Sequence, residues 1–168
     1  TVVMTRPRNA DGILRIRGLE IGWVQPLDKI LPWRGFGINE TLTLINQKAS
    51  GEGSQGFIAL GVPKKTNNFG IYYENHGYML RLSHTYSQGS QVANANQSGI
   101  TAAALYGRDY KQADFSSSFE LDQIFDREGL PMLTFDIVNL NKAKRSGYFQ
   151  FANATMSQYD PGRTFALG

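Results

Sequence analysis

The feature that most constrains this chain is strict alternation. Between residues 35 and 47, Phe36, Ile38, Leu42 and Leu44 share one parity with Glu40, while Gly35, Gly37, Asn39, Thr41 and Thr43 share the other. Successive side chains of a strand point to opposite faces, so the segment reads as a strand with one greasy and one small, polar face. The pattern recurs. Residues 18–24 set Leu19, Ile21 and Trp23 against Gly18, Glu20 and Gly22. Residues 68–74 set Phe69, Ile71 and Tyr73 against Asn68, Gly70, Tyr72 and Glu74, and residues 78–86 set Tyr78, Leu80, Leu82 and Tyr86 against Met79, Arg81, Ser83 and Thr85, with His84 in the apolar row. Residues 112–121 set Ala113, Phe115, Phe119 and Leu121 against Gln112, Asp114, Ser116, Ser118 and Glu120. Residues 133–138 and a short stretch at 164–167 complete seven expected strands. The fold class is all-β and antiparallel.

The connections alternate in length. Residues 26–34 and the tight turn Asn75-His76-Gly77 are short, and residues 122–130 are moderate; residues 48–67, 87–99 and 141–161 are long. Long structureless loops fit a compact domain poorly, but short turns at one end and long loops at the other are what an outer-membrane barrel has. Composition closes other routes. Without cysteine there is no disulfide framework, thiol chemistry or zinc–thiolate site. A formal net charge of +3, evenly spread, gives no footprint for nucleic acid. No apolar run approaches the roughly 20 residues of a spanning helix. The first residue is Thr, which implies processing or truncation upstream.

Two architectures satisfy the alternation. A soluble sandwich, for instance a carbohydrate-binding one, buries the greasy face in a core, with strands of about five or six residues. A membrane barrel turns that face to lipid and needs strands of about 9–11 residues. Several segments here reach the longer length. The polar faces are small (Gly, Ser, Thr, Asn) with isolated Glu20, Arg81, Asp114, Glu120 and Asp136, which suits a crowded lumen better than a solvated surface. Tyr73, Tyr78, Tyr86 and Trp23 fall near strand ends, where interface aromatics sit. The antiparallel transmembrane barrel segment is the favoured reading.

Several stretches also resemble a known family. Asn9-Ala10-Asp11-Gly12 followed by residues 17–23 (Arg-Gly-Leu-Glu-Ile-Gly-Trp) with Pro26, Gly35-Phe36-Gly37-Ile38 with Thr41 and Thr43, residues 81–86, residues 136–141 (Asp-Ile-Val-Asn-Leu-Asn) and residues 159–168 resemble, in order and spacing, the C-terminal barrel of TonB-dependent outer-membrane receptors. The resemblance implies a 22-stranded barrel of which these residues supply about the last seven strands. The plug domain, the energy-coupling box, the earlier strands and a terminal aromatic are then expected outside this segment. It also implies active import of a nutrient, an oligosaccharide or a metal chelate, across the outer membrane of a Gram-negative bacterium. The implied partners are the rest of the barrel and its plug, the TonB complex through the plug, and outer-membrane lipid and lipopolysaccharide. A passive porin-like barrel is the nearest alternative.

No catalytic constellation is visible, so an enzyme, a metal site and a cofactor are not expected. His76 lies in a turn and His84 on the greasy face, with no nucleophile or metal-ligand spacing. The glycine-rich residues 51–56 lack the helix and Lys-Ser/Thr of a phosphate loop. Glu40 breaks the greasy face, which places it near a strand end or marks a bulge, or else marks a partner contact. Glu20, Arg81, Asp114, Glu120 and Asp136 are expected as structural lumen charges, paired with one another or with the plug. Ligand contacts are expected in loops, from Tyr106, Arg108 and Tyr110 and from Tyr148 and Phe149, with Phe151 and Tyr159 as further loop aromatics, because aromatic faces stack on sugars or planar ligands. Lys142, Lys144 and Arg145 form a cationic cluster suited to lipopolysaccharide or to plain solvation.

Overall fold

The computed structural model describes residues 12–51, 57–94, 99 and 103–168. In chain order the strands are β1 (Ile13–Pro26), β2 (Phe36–Ser50), β3 (Lys65–Asn75), β4 (Tyr78–Ser87), β5 (Gln91–Ala93), β6 (Leu105–Gly107), β7 (Tyr110–Glu120), β8 (Met132–Val138), β9 (Arg145–Phe149), β10 (Thr155–Tyr159) and β11 (Thr164–Leu167), with one helical turn, α1 (Leu121–Phe125), after β7. A seven-stranded sheet runs β1-β2-β3-β4-β7-β8-β11, and a four-stranded sheet runs β10-β9-β6-β5. All pairings are antiparallel. The seven strands expected from alternation are the seven strands of the large sheet. Leu121 departs from its expected strand: it starts α1, whose short run ends at Asp126 in the left-handed conformation.

The register keeps the two faces separate across the whole sheet. Ile21 faces Leu42, Ile38 faces Ile71, Ile71 faces Leu82, Leu82 faces Phe115, Phe115 faces Ile137 and Ile137 faces Phe165. One slip of a single residue would mix the faces, and no slip occurs within this sheet. The greasy band is oblique to the strands. Leu42 has Ile21 on one side but Asn67 on the other; Ile38 has Gln25 on one side and Ile71 on the other. The strands therefore cross the band at a tilt. Glu40 sits in the same unbroken register, opposite Trp23 and Phe69, which removes a bulge as its explanation. Its carboxylate accepts a hydrogen bond from Asn67 Nδ2 where the band gives way to Lys65, Asn67 and Lys111.

The band has no cover. Among the described residues the buried apolar side chains are Ala103 and Ala104, while Leu19 is 55% exposed, Ile71 43%, Leu82 44% and Phe165 61%. A sandwich would bury these residues against a second sheet. Here the second sheet is built from loop segments at one end of the first and leaves the band open.

The two ends differ. Connections 27–35, 76–77 and 121–131 lie at one end; the described parts of the connections that follow β2, β4 and β8 in the large sheet lie at the other. At the first end, His76 (φ 48°) and Gly77 (φ 79°) make a two-residue turn with both φ values positive, the hairpin form that matches strand twist. Asp28 Oδ1 accepts the Gly35 N–H at 2.6 Å, closing the β1–β2 connection. Trp33, Phe36 and Tyr73 cluster there (centroids 6.4 and 4.8 Å), as do Tyr78 and Phe119 at 6.0 Å.

Glycine on the polar face makes room for neighbours. Gly37 is buried under its cross-strand partner Tyr72, and Gly70 lies under Asn39. A side chain at Gly37 would run into the Tyr72 ring, whereas Gly22, on the same face of β1, has nothing within 4 Å. Gly37→Val should therefore cost about 1–3 kcal/mol by overpacking, and Gly22→Val close to nothing. Urea unfolding followed by aromatic fluorescence checks this, and coincident midpoints for the two variants would refute it.

Candidate functional site

The long connections at one end fold into one unit. Gly61 N–H donates to Gln91 O (2.8 Å), Gly107 N–H to Ser90 O (2.8 Å), Arg108 N–H to Ser146 O (3.0 Å) and Gln150 N–H to Ala104 O (2.9 Å). In the small sheet Tyr106 pairs directly with Tyr148, and their rings stack at 5.3 Å with 17° between planes. Arg108 lies two residues on from Tyr106 and shares its face. Its guanidinium passes 5.0 Å from the Tyr148 ring centre and reaches β10, donating to Thr155 Oγ1 (3.1 Å) and to Ala152 O. Cation and aromatic face attract through the ring quadrupole, so Arg108 clamps β6, β9 and β10 together.

Below this unit is a cleft of ≈ 530 Å³, bordered by Thr85, Ser87, Tyr110, Gln112, Arg145 and Ser146 among others. Thr85, Ser87, Tyr110 and Gln112 belong to the polar parity of β4 and β7, so the cleft opens on the polar face of the large sheet. A second cleft of ≈ 480 Å³ contains Tyr106 and Tyr148. Gly107, Arg108 and Asp109 border both. Arg145 lies 4.5 Å from the centre of the Tyr110 ring. The Tyr110 hydroxyl donates to Gln112 Oε1, Gln112 Nε2 donates to Asp114 Oδ1 (2.7 Å), and Asn139 N–H donates to the same Asp114 oxygen (2.7 Å). This ladder fixes the cleft wall.

Asp109 fastens the loop unit to the sheet. Its carboxylate accepts the Gly89 N–H at 2.8 Å and the Tyr86 hydroxyl at 2.9 Å. The Gly89 amide, followed by the Tyr86 hydroxyl, favours the charged form and holds the Asp109 carboxyl below the ordinary aspartate value. Asp160 is likewise lowered, by Lys144 at 2.9 Å and by the Gly162 amide.

Of the expected ligand contacts, Tyr106, Arg108, Tyr110 and Tyr148 come together around the two clefts. Phe149 does not join them: alternation turns it to the other face of β9, opposite Leu105. The expected charges are dispersed on the polar parity. Arg81 and Asp136 flank Ser116 from opposite strands, Glu20 faces Thr43, and Glu120 accepts from Gln123 Nε2. None of the five is ion-paired among the described residues; Asp114 serves backbone and amide donors instead. Of the cationic cluster, Arg145 borders the cleft and Lys144 pairs with Asp160. The glycine-rich loop lies outside the described residues except for Gly51. Two important residues were not singled out from sequence. Asp109 carried a weak signal, as an acid in the turn before β7. Asn139, buried and left-handed (φ 60°), bonds Ala143 and Gly162 with its side chain.

Compared with known proteins, the chain matches no family model, no curated protein and no solved structure.

A carboxyl with a lowered folded value contributes stability above its unfolded pKa, about 3.9, and loses that contribution as pH falls through the folded value. The Gly89 amide resonance should therefore titrate with a midpoint below about 3.9, and Asp109→Asn should abolish the transition. A midpoint at or above the ordinary aspartate value would contradict the bonding described.

Proposed function

We propose that the chain is part of the wall and ligand-facing loops of a TonB-dependent transporter in the outer membrane of a Gram-negative bacterium. The observation that carries the reading is the uncovered greasy band, continuous over seven strands, backed by a polar face that opens into a ligand-sized cleft at the long-loop end. In water such a band is a large exposed apolar patch; in lipid it is the surface a barrel presents.

Dimensions support the same reading. β1, β2, β3, β4 and β7 have 14, 15, 11, 10 and 11 residues, against about 9–11 needed to span when tilted. Tyr78 and Tyr86 bound the greasy row of β4. Eight residues at about 3.4 Å each put them about 27 Å apart along the strand, comparable with the roughly 25 Å apolar band of outer-membrane barrels. Both outer strands of the large sheet, β1 and β11, have an open edge among the described strands. Lipid cannot satisfy those N–H and C=O groups, so further strands of the same barrel are their natural partners. In this reading ligand enters from the long-loop side, the polar face lines the lumen, and a plug coupled to the TonB complex drives release. The chain carries no bond chemistry.

Fractionation and energetics test it. The native protein should stay with the outer membrane through a high-salt wash and leave it only in detergent; recovery in the aqueous fraction overturns the membrane reading. Ligand uptake should stop when the proton-motive force is collapsed, and uptake that persists overturns the active-transport part.

A further inference from the structure

The twin clefts have a charge pattern that the uptake reading leaves unexplained. The larger is bordered by Arg108, Lys144 and Arg145 and by one acid, Asp109. The acid is engaged within the protein, by the Gly89 amide and the Tyr86 hydroxyl. Lys144 is neutralised by Asp160 at 2.9 Å. Arg108 spends donors on Thr155 and Ala152. Arg145 differs from all of these. Among the described residues its guanidinium makes no hydrogen bond and no ion pair; it rests against the Tyr110 ring at 4.5 Å, exposed at the cleft. An aromatic face under a guanidinium fixes its plane while leaving the N–H edge open, and that edge matches the two oxygens of a carboxylate. Thr85, Ser87, Gln112 and Ser146 add hydroxyl and amide partners around it. The second cleft, continuous through Gly107, Arg108 and Asp109, is bordered by Tyr106 and Tyr148; with Tyr148 held between the Tyr106 ring and Arg108, the pair offers its Tyr106 side as a platform for the apolar face of a sugar.

We infer that the clefts together recognise an acidic oligosaccharide, with a sugar ring on the Tyr106–Tyr148 platform and a carboxylate on Arg145. This rests on the uptake reading and names the ligand class of its site. The selectivity comes from Arg145, the cation of the larger cleft whose side chain has no hydrogen-bond or ion-pair partner among the described residues, and the aromatic pair supplies contact that is indifferent to charge. Lost charge and lost fork geometry then have separate signatures, because lysine restores the first without the second.

The native protein, extracted in detergent, is titrated with trigalacturonate and with its methyl ester, which keeps the sugar and removes the charge. The acid should bind about tenfold more tightly, the size of a charge-assisted pair, and added salt should weaken the acid alone. Arg145→Gln should bring the two affinities together, Arg145→Lys should restore part of the preference, and Tyr148→Leu should weaken both ligands alike. Unchanged circular dichroism for each variant shows that the sheets persist. Equal binding of acid and ester by the unaltered protein, binding of neither, or a preference that survives Arg145→Gln overturns the inference. Fractionation of the same preparation separates the two readings: an aqueous protein that keeps the preference sinks the transporter and spares the ligand class, and a membrane protein without the preference does the reverse.

Discussion

Everything in this structure depends on backbone pairing between neighbouring strands. The usual alternative, a packed core, is missing: the described residues bury only Ala103 and Ala104 among apolar side chains. From β1 through β8 the large sheet runs without a shift of register, and the shifts that occur are confined to the small sheet. A ladder hydrogen bond nets only about 0.5–1.5 kcal/mol in water because water competes for both partners, but about 4–6 kcal/mol in an apolar medium. In the proposed reading, lipid on the greasy face would strengthen the ladders on which this sheet relies. Cross-strand aromatic pairs such as Phe36–Tyr73 and Phe115–Phe135 reinforce the ladder within the greasy face itself.

The same pairing explains the polar face. Strands lie about 4.8 Å apart, so a large side chain that folds flat over its neighbour needs a small residue there. Glycine opposite a large residue solves this: Tyr72 folds over Gly37 and Asn39 over Gly70. The polar face is therefore tiled where β2 meets β3 towards the short-turn end, and a cleft opens near Thr85, Ser87, Tyr110 and Gln112, at the long-loop end of β4 and β7. The larger cleft lies where that tiling stops.

Much of this was legible in the sequence because period-2 alternation is a direct image of a two-faced strand. All seven strands of the large sheet, both parities and the contrast between short and long connections follow from it. The ends of β1 were less legible. Ile13, Leu14 and Ile16 break the alternation with Arg15 and Arg17, because that part of the hairpin runs beyond the greasy band and pairs with Gln47, Lys48 and Ala49. The small sheet was hidden for a related reason. Strands such as β5 (Gln-Val-Ala) and β6 (Leu-Tyr-Gly) are too short to show a period, and their partners lie far along the chain. Tyr106, Arg108, Tyr110 and Tyr148 could be singled out by chemistry alone, but that Tyr106 meets Tyr148, and Phe149 does not, is a matter of register. The spacing of the charges is likewise a matter of register: Arg81 and Asp136 share a face but stand two strands apart, with Ser116 between them.

Loops of this length would ordinarily lose much binding energy to ordering. Here the ladder carries its order into them. β4 ends at Ser87, and the next residue stays in register, Gln88 N–H donating to Lys65 O at 2.9 Å. Gly89 follows, so close to Gly107 and Arg108 that a side chain there would strike the Gly107 carbonyl oxygen. Asp109 then bonds back to Gly89 and to Tyr86 on the sheet, and Lys111 lies 5.7 Å from the Tyr86 ring centre. On the far side of β7, Asn141 replaces the departed strand β8: its side chain accepts the Ala113 N–H and donates to Lys111 O. Both stalks of the 88–109 connection are thus fastened to the sheet within a few residues of the cleft. Tyr86 stands at the rim of the greasy band and anchors the loops. A change in that rim would reach the cleft through one hydroxyl, so the two halves of the structure, large sheet and loop unit, are joined by the same hydrogen-bond logic that builds the sheet.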